Sequence, residues 1–355
     1  MRILVVSTPV GALGSGRGGG VELTASTLVA GLLERGHRVT VLAAEGSVLP
    51  PSCAAATLWL ERGADQPSWQ HRSRQDPVEL PVDALLGRLW RRALAHQAHF
   101  SVVLNLAYDW LPLWLTPHTA TPLAHLVSMG SVGEAMDGVI AEVSALRPRH
   151  LAFHTATQAA DFQLAEPPIL VGNGFDLSRY QLCLEPEPVL GWAGRIAPEK
   201  GLEDGALVAA RLGLPLRIWG YEEDRAYAAR VAASVPVGTL EWRGFLPTEQ
   251  LQGELGRCAA LLNTPKWNEA FGNVVVEAMA CGVPVAAYQR GGPGELVVEG
   301  VNGALAPPDD REALVAATHR ALAVERQGCR AWVEEHCSQQ AFAARVETWL
   351  QDLAG

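Results

Sequence analysis

The chain has 355 residues, 48% of them apolar and 19% charged, with a formal net charge of −10. That is enough apolar material for two cores of roughly 150 residues each and too little charge for a disordered chain. The acidic balance argues against nucleic acid as the main partner, although a local basic cluster still binds pyrophosphate in an acidic protein.

Residues 2–7 form an apolar run, too short for a signal sequence or a membrane span, and predict a buried first strand in a cytoplasmic protein with no integral membrane segment. A glycine-rich loop follows, then a helix from about Glu22 to Arg35, and a second strand over 38–43. The polar stretch 62–81 reads as a surface loop that either closes on an acceptor or is a solvated excursion. Segments 101–105 and 123–128 read as later strands of the same sheet. Residues 173–188 carry Gly, Asp and Pro without a periodic apolar pattern and mark a domain junction. The strand rhythm resumes at 189–192, 216–219, 259–263 and 284–288, and 331–353 holds one or two helices. Short β-branched runs alternating with amphipathic stretches predict an α/β protein with parallel sheets, divided into residues 1–172 and 173–337. Six cysteines without C-x-x-C spacing fit neither a zinc site nor a disulfide framework and read as reduced, packed thiols. His96 and His99 share a helical spacing but have no visible third ligand, so no metal is expected.

Glu269 and Glu277 are the most informative pair. Between them lie Phe271, Gly272 and Asn273, with an apolar run behind. Asn favours a helix cap and Gly admits close backbone approach, so a helix is expected to open at 272–273. Glu277 then falls about one turn inside it and Glu269 in the loop ahead. Two carboxylates for sugar hydroxyls would flank N–H groups suited to a phosphate. Arg195 and Lys200, with Gly194 and Gly201 on either side, follow an apolar strand at a βα loop, where ligands of doubly wound sheets collect. They are either fixed cations for a phosphate or a solvated pair. The loop around Gly18, Gly19 and Gly20 is neither a Walker loop nor a clean G-x-G-x-x-G. Its amides either touch a phosphate or acceptor, with Arg17 adding charge, or the loop is a flexible turn.

Taken in order, these segments resemble the E-x7-E retaining nucleotide-sugar glycosyltransferases of the sucrose-synthase-like family 4. Glu269 to Glu277 matches the signature, and Asn173, Gly174, Phe175 and Asp176 match the hinge. Gly194-Arg195 with Lys200-Gly201 matches the phosphate segment, and Gly291 to Glu295 the glycine turn. The likeness spans nearly the whole chain. It implies the GT-B fold, two Rossmann-like parallel-sheet domains facing a cleft, with residues 338–355 crossing back onto the first. It also implies a metal-independent, UDP-sugar-dependent retaining hexosyltransferase with no cofactor beyond the donor. Glu269, Arg195 and Lys200 are the implied catalytic residues, Glu269 acting by positioning and electrostatics. Glu277 is implied for the ribose. Gly19, Gly20, Gly194, Phe271, Gly272, Asn273 and Val274 are the other donor contacts. The base is expected near Arg243 and Phe245, while Trp219, Gly220 and Tyr221 stand where the family has Gly-x-Gly. Ser128 stands where many relatives carry a His, and His125 reads as structural.

The run 105–114 sets Asp109 among Tyr108 and Trp110, a chemistry that suits the edge and faces of an amino-heterocycle, or is simply core. With segments 7–11, 18–22 and 128–131 it resembles the cyanobacterial pteridine glycosyltransferases. That likeness implies transfer of glucose from UDP-glucose to a hydroxyl of tetrahydrobiopterin. Glu22, Asn105, Tyr108, Asp109, Ser128 and Met129 are the acceptor contacts it suggests. Three alternatives stay open: a transferase with another small-molecule, lipid or polysaccharide acceptor, a nucleotide-sugar epimerase, and a non-catalytic nucleotide-sugar-binding protein.

Overall fold

Runs such as Ile3-Leu4-Val5-Val6 are buried on both faces, as the strands of a parallel sheet require. The computed structural model describes all 355 residues and divides them into two units. One is Met1–Phe175 with Gln339–Gly355, the other Asp176–Ser338.

The first unit holds β1 (Arg2–Val6), β2 (Arg38–Ala44), β3 (Thr57–Glu61), β4 (Val102–Asn105), β5 (Leu123–Val127), β6 (Leu151–Phe153) and β7 (Ile169–Leu170). They form one parallel sheet in the order β3-β2-β1-β4-β5-β6-β7. Ile3 lies opposite both Val39 and Val102, so the order reverses around β1 and opens a switch point between β1 and β4. One face packs Val5 against Leu28 and Leu32 of the helix Gly20–Glu34, and the other packs Leu4 and Val6 against Leu86, Leu89 and Trp90.

The stretch 62–81 is more firmly held than its polarity predicts. Trp69 is only 2% exposed and sits among Leu113, Val127 and Met136. One large aromatic side chain therefore ties the loop down, at a site where Gly133 leaves room for its ring.

The C-terminal region 331–353 resolves into two helices, Arg326–His336 and Gln339–Ala354. The last one inserts Phe342, Val346 and Leu350 into the first unit's core, each burial being worth roughly 1.5–3 kcal/mol. It approaches the helix Gly20–Glu34 so closely that a Cβ on Gly31 would lie 2.5 Å from the Ala343 Cβ. Glu347 pairs with Arg35 and His37 at its edge.

The second unit holds β8 (Leu190–Ala193), β9 (Leu216–Trp219), β10 (Leu240–Gly244), β11 (Ala260–Asn263), β12 (Val285–Tyr288) and β13 (Gly303–Ala306). Their order, β10-β9-β8-β11-β12-β13, is again parallel, with a switch point between β8 and β11. No helix is long and apolar enough to cross a membrane.

Candidate active site

In the second unit, β8 and β11 release their chains at the switch point, and the two emerging loops meet. After β8 the chain runs through Gly194 and Arg195 into the turn Pro198–Lys200. Gly201 follows with φ 65°, and a Cβ there would lie 2.0 Å from the Thr264 carbonyl oxygen. Only glycine fits, and the fit presses the Lys200 turn onto the end of β11. Thr264 locks the contact, its hydroxyl donating to the Gly201 carbonyl at 2.8 Å and accepting from Trp192 Nε1 at 3.2 Å. Lys200 Nζ thereby reaches Glu269 Oε1 in the loop after β11 and forms an ion pair with it.

Glu269 is 9% exposed, and its backbone is braced from below. The Gly292 N–H donates to the Glu269 carbonyl at 2.7 Å, and a Cβ on Gly292 would lie 2.2 Å from the Phe271 carbonyl oxygen. The glycine turn at 291–292 is thus a backbone support for the Glu269 loop. The next helix, Asn273–Ala280, opens at 272–273 as expected, but one residue earlier than a cap at Asn273 would place it. Gly272 takes the cap position with φ 96°, and Asn273 is the first helical residue. The helix start lies beside the Lys200–Glu269 pair, a Cβ on Gly272 falling 3.6 Å from Glu269 Oε2, and helix starts favour anions. Phe271 is buried and Val274 partly buried, so their side chains shape the loop from within.

Arg195 carries two carboxylates. Nη1 lies 2.5 Å from Glu223 and Nη2 lies 2.8 Å from Glu199. Glu277 projects from the second turn of the Asn273–Ala280 helix. The Tyr180 hydroxyl donates to its Oε1 at 3.4 Å. Burial pushes the Glu277 carboxyl up to about 7, against the opposing pull of Tyr180, Gln252 and Arg179. At the end of β10, Arg243 pairs with Glu241 at 2.6 Å and Phe245 is 71% exposed. Trp219 is core, and the Gly194 N–H donates to its carbonyl at 3.0 Å.

In the first unit, most residues expected at the acceptor have partners within the chain. The Glu22 carboxylate accepts from the backbone N–H groups of Gly14 at 2.7 Å, Gly16 at 3.1 Å and Gly18 at 2.6 Å. Glu22 therefore points into its own loop and holds three of its amides. The loop is no flexible turn either, since Leu13 is buried and its N–H donates to Ser47 Oγ at 2.9 Å. Gly19 caps the helix that Gly20 opens. Asn105 is likewise built into the sheet. Its amide donates to the Ala107 carbonyl and contacts His125 Nδ1, while its oxygen accepts from the Ala107 N–H. Burial drives His125 down to about 3, so the ring is neutral between Asn105 and Thr116. Asp109 is buried and caps the helix Trp110–Leu115 through Oδ1, which accepts the Trp110 N–H at 2.7 Å. Tyr108 donates to the Gly130 carbonyl at 3.1 Å. Ser128 and Met129 are partly exposed just past β5, where Gln158 holds the Met129 carbonyl at 2.9 Å. Tyr180, Glu199, Glu223 and Gln252 were not singled out from sequence, and nothing in their local context distinguishes them.

Comparison with known proteins reaches the same region. Residues 178–335 match the family model described as "Glycosyl transferases group 1". The D-inositol 3-phosphate glycosyltransferase of Geodermatophilus obscurus is 28% identical over 97% of this chain and 86% of its own length. The GDP-mannose-dependent alpha-mannosyltransferase of Mycolicibacterium smegmatis is 38% identical over 39% of this chain and 36% of its own length. The chain matches three of its curated relatives over only 15%, 36% and 34% of their lengths. Among solved structures, Anabaena HepE in complex with UDP is similar with a TM-score of 0.74 at 17% identity, covering 99% of this chain and 100% of that one. The chain therefore has the GT-B fold, and most of its second unit matches the group 1 glycosyltransferase model.

Proposed function

We propose that the protein is a retaining hexosyltransferase that moves glucose from UDP-glucose to a hydroxyl of a pterin, tetrahydrobiopterin. The observation that supports the transferase chemistry is the meeting of Lys200 and Glu269 at the β8/β11 switch point, with Arg195 on the same loop and a helix start beside them.

Breaking the bond between a sugar and a diphosphate leaves positive character on the anomeric carbon and negative charge on the phosphate. Fixed cations and N–H dipoles stabilise that leaving group without reorganising. Arg195 offers a planar fork and Lys200 a point charge for it. Glu269, released from Lys200 by the phosphate, turns to the sugar hydroxyls. Under retention the acceptor hydroxyl attacks from the face the phosphate leaves, and the departing phosphate takes its proton. Glu269 then positions the sugar, and no side chain is required as general base.

The choice of UDP-glucose and of a pterin rests on the resemblance of segments 7–11, 18–22, 105–114 and 128–131. Of the residues read as acceptor contacts, Ser128 and Met129 are partly exposed, while Tyr108 and Asp109, like Glu22 and Asn105, also hydrogen-bond within the chain.

The test is to incubate the purified protein with UDP-glucose or GDP-mannose, with and without tetrahydrobiopterin, following nucleotide release and product mass. Glucosylated pterin from UDP-glucose alone is expected, and Arg195→Ala or Lys200→Ala should each lower turnover by roughly 10²–10³-fold. Nucleotide release without a pterin product rejects the acceptor. Full turnover after loss of both cations rejects the donor site.

A further inference from the structure

Tyr180 stands outside every motif singled out above, on the turn that opens the second unit. We propose that Tyr180 is a positioning residue for Glu277, holding one carboxylate oxygen so that the other is presented to the ribose hydroxyls of a nucleoside diphosphate. This rests on the proposed reading of Glu277 as the ribose ligand.

The placement of Tyr180 is over-determined. It follows the single turn Leu177–Arg179, which Asp176 caps by accepting the Ser178 N–H at 3.1 Å. Arg330, from the helix Arg326–His336, donates to the carbonyls of Tyr180 at 2.7 Å and Leu177 at 3.3 Å. The same guanidinium donates to the Ala280 carbonyl at 2.9 Å, at the end of the helix that carries Glu277. One cation therefore fixes the tyrosine and the glutamate relative to each other. Tyr180 is 4% exposed, and its hydroxyl is directed at Glu277 Oε1. Gln252, from the helix Thr248–Leu255, lies beside the same carboxyl with its amide nitrogen buried and short of a full hydrogen bond.

A neutral hydroxyl is suited to this task in a way a cation is not. It orients the carboxylate without neutralising the charge that ribose hydroxyls must meet. Burial and the neighbouring Glu277 push the Tyr180 phenol far above its ordinary range, so it keeps its proton and stays a donor. Its hydrogen bond also favours the ionised form of Glu277. The other groups that face this carboxyl are Arg179 on the tyrosine's own turn, Gln252, and Cys281 at the end of the glutamate's helix. Arg326 and Arg330 approach from the helix packed behind, on the Cys281 side.

The experiment measures the dissociation constants of UDP and 2′,3′-dideoxy-UDP by calorimetry, at pH 6.5 and 8.5, for the wild type, Tyr180→Phe and Glu277→Gln. Tyr180→Phe keeps the buried ring and removes only the donor. Losing one such hydrogen bond should weaken UDP by roughly 2- to 12-fold. The loss should be larger at pH 6.5, where Glu277 depends most on help to ionise, and dideoxy-UDP should be unaffected. Equal weakening of both nucleotides would mean a merely structural tyrosine and overturns the proposal, as does unchanged UDP binding at both pH values. If Glu277→Gln leaves the preference for UDP over dideoxy-UDP intact, the reading of Glu277 itself fails, and this inference with it.

Discussion

Glu277 is held where its charge is costly, and that cost is measurable. Burial moves its carboxyl from 4.5 to about 7. A raised value means that the folded chain binds this proton more tightly than the unfolded chain does. The associated stability is fully present below 4.5 and is lost as pH climbs through 7. At high pH the loss is on the order of 3 kcal/mol, most of it incurred between pH 5 and pH 8.5. Glu277→Gln keeps the shape and an oxygen for the Tyr180 hydroxyl but never ionises. Its thermal melting, followed by circular dichroism beside the wild type, should therefore gain on the wild type as pH rises. For a unit the size of Asp176–Ser338 the gain from pH 5 to 8.5 should be roughly 5–10 °C. All other titrating groups are common to both proteins and cancel. Melting curves that shift in parallel with pH would refute the reasoning. The same substitution should weaken UDP binding, so that a more stable protein binds its donor less well.

Two further perturbations probe the loops around it. Gly201→Ala places a Cβ 2.0 Å from the Thr264 carbonyl oxygen in a left-handed conformation. It should cost roughly 2–4 kcal/mol and weaken UDP binding by displacing Lys200; a variant with wild-type melting and UDP affinity contradicts the role given to this close approach. Glu223→Gln removes a carboxylate that pairs with Arg195 and, on the proposed function, competes there with phosphate. UDP should bind roughly 2- to 5-fold more tightly in titrations at low salt and with a smaller gain at high salt, whereas weaker binding would show that Glu223 supports Arg195 instead.

The two parallel sheets were legible because strands buried on both faces leave continuous apolar runs. β1, β2, β4, β5, β8, β9, β11 and β12 all announce themselves in this way. β3, β6, β7, β10 and β13 do not, β10 being Leu-Glu-Trp-Arg-Gly with its last three residues exposed. β3 is half exposed, β6 and β7 span three and two residues, and β13 is the weak strand former Gly-Ala-Leu-Ala. At the site, residue type and glycine spacing single out Arg195, Lys200 and Glu269, but their partners are a matter of long-range geometry. Tyr180 and Glu277 lie 97 residues apart, and Lys200 and Glu269 lie 69 apart. The internal partners of Glu22 and Asn105 were not legible for a different reason. A polar side chain beside a glycine loop or at a strand end has the same sequence signature whether it faces a ligand or satisfies its own backbone. Only the accounting of buried donors and acceptors separates the two.

That accounting also bears on how a chain with a net charge of −10 holds a diphosphate. Its anion-binding groups already hold carboxylates of their own. In the second unit, Arg195 bridges Glu199 and Glu223, and Lys200 holds Glu269. On the proposed function, a nucleotide sugar does not meet bare cations but exchanges with these internal anions. The exchange keeps each cation oriented, and it limits the desolvation that an unpaired, partly buried charge would impose. The Lys200–Glu269 pair gives the exchange a second consequence. A phosphate that takes Lys200 sets Glu269 free at the place where the sugar hydroxyls arrive, so phosphate binding prepares sugar binding. Glu277, held by a neutral hydroxyl, needs no such exchange and is available to the ribose as soon as it is ionised. The two glutamates of the signature thus differ in what restrains them, a cation in one case and a proton in the other. Donor binding should accordingly answer to salt through the first and to pH through the second.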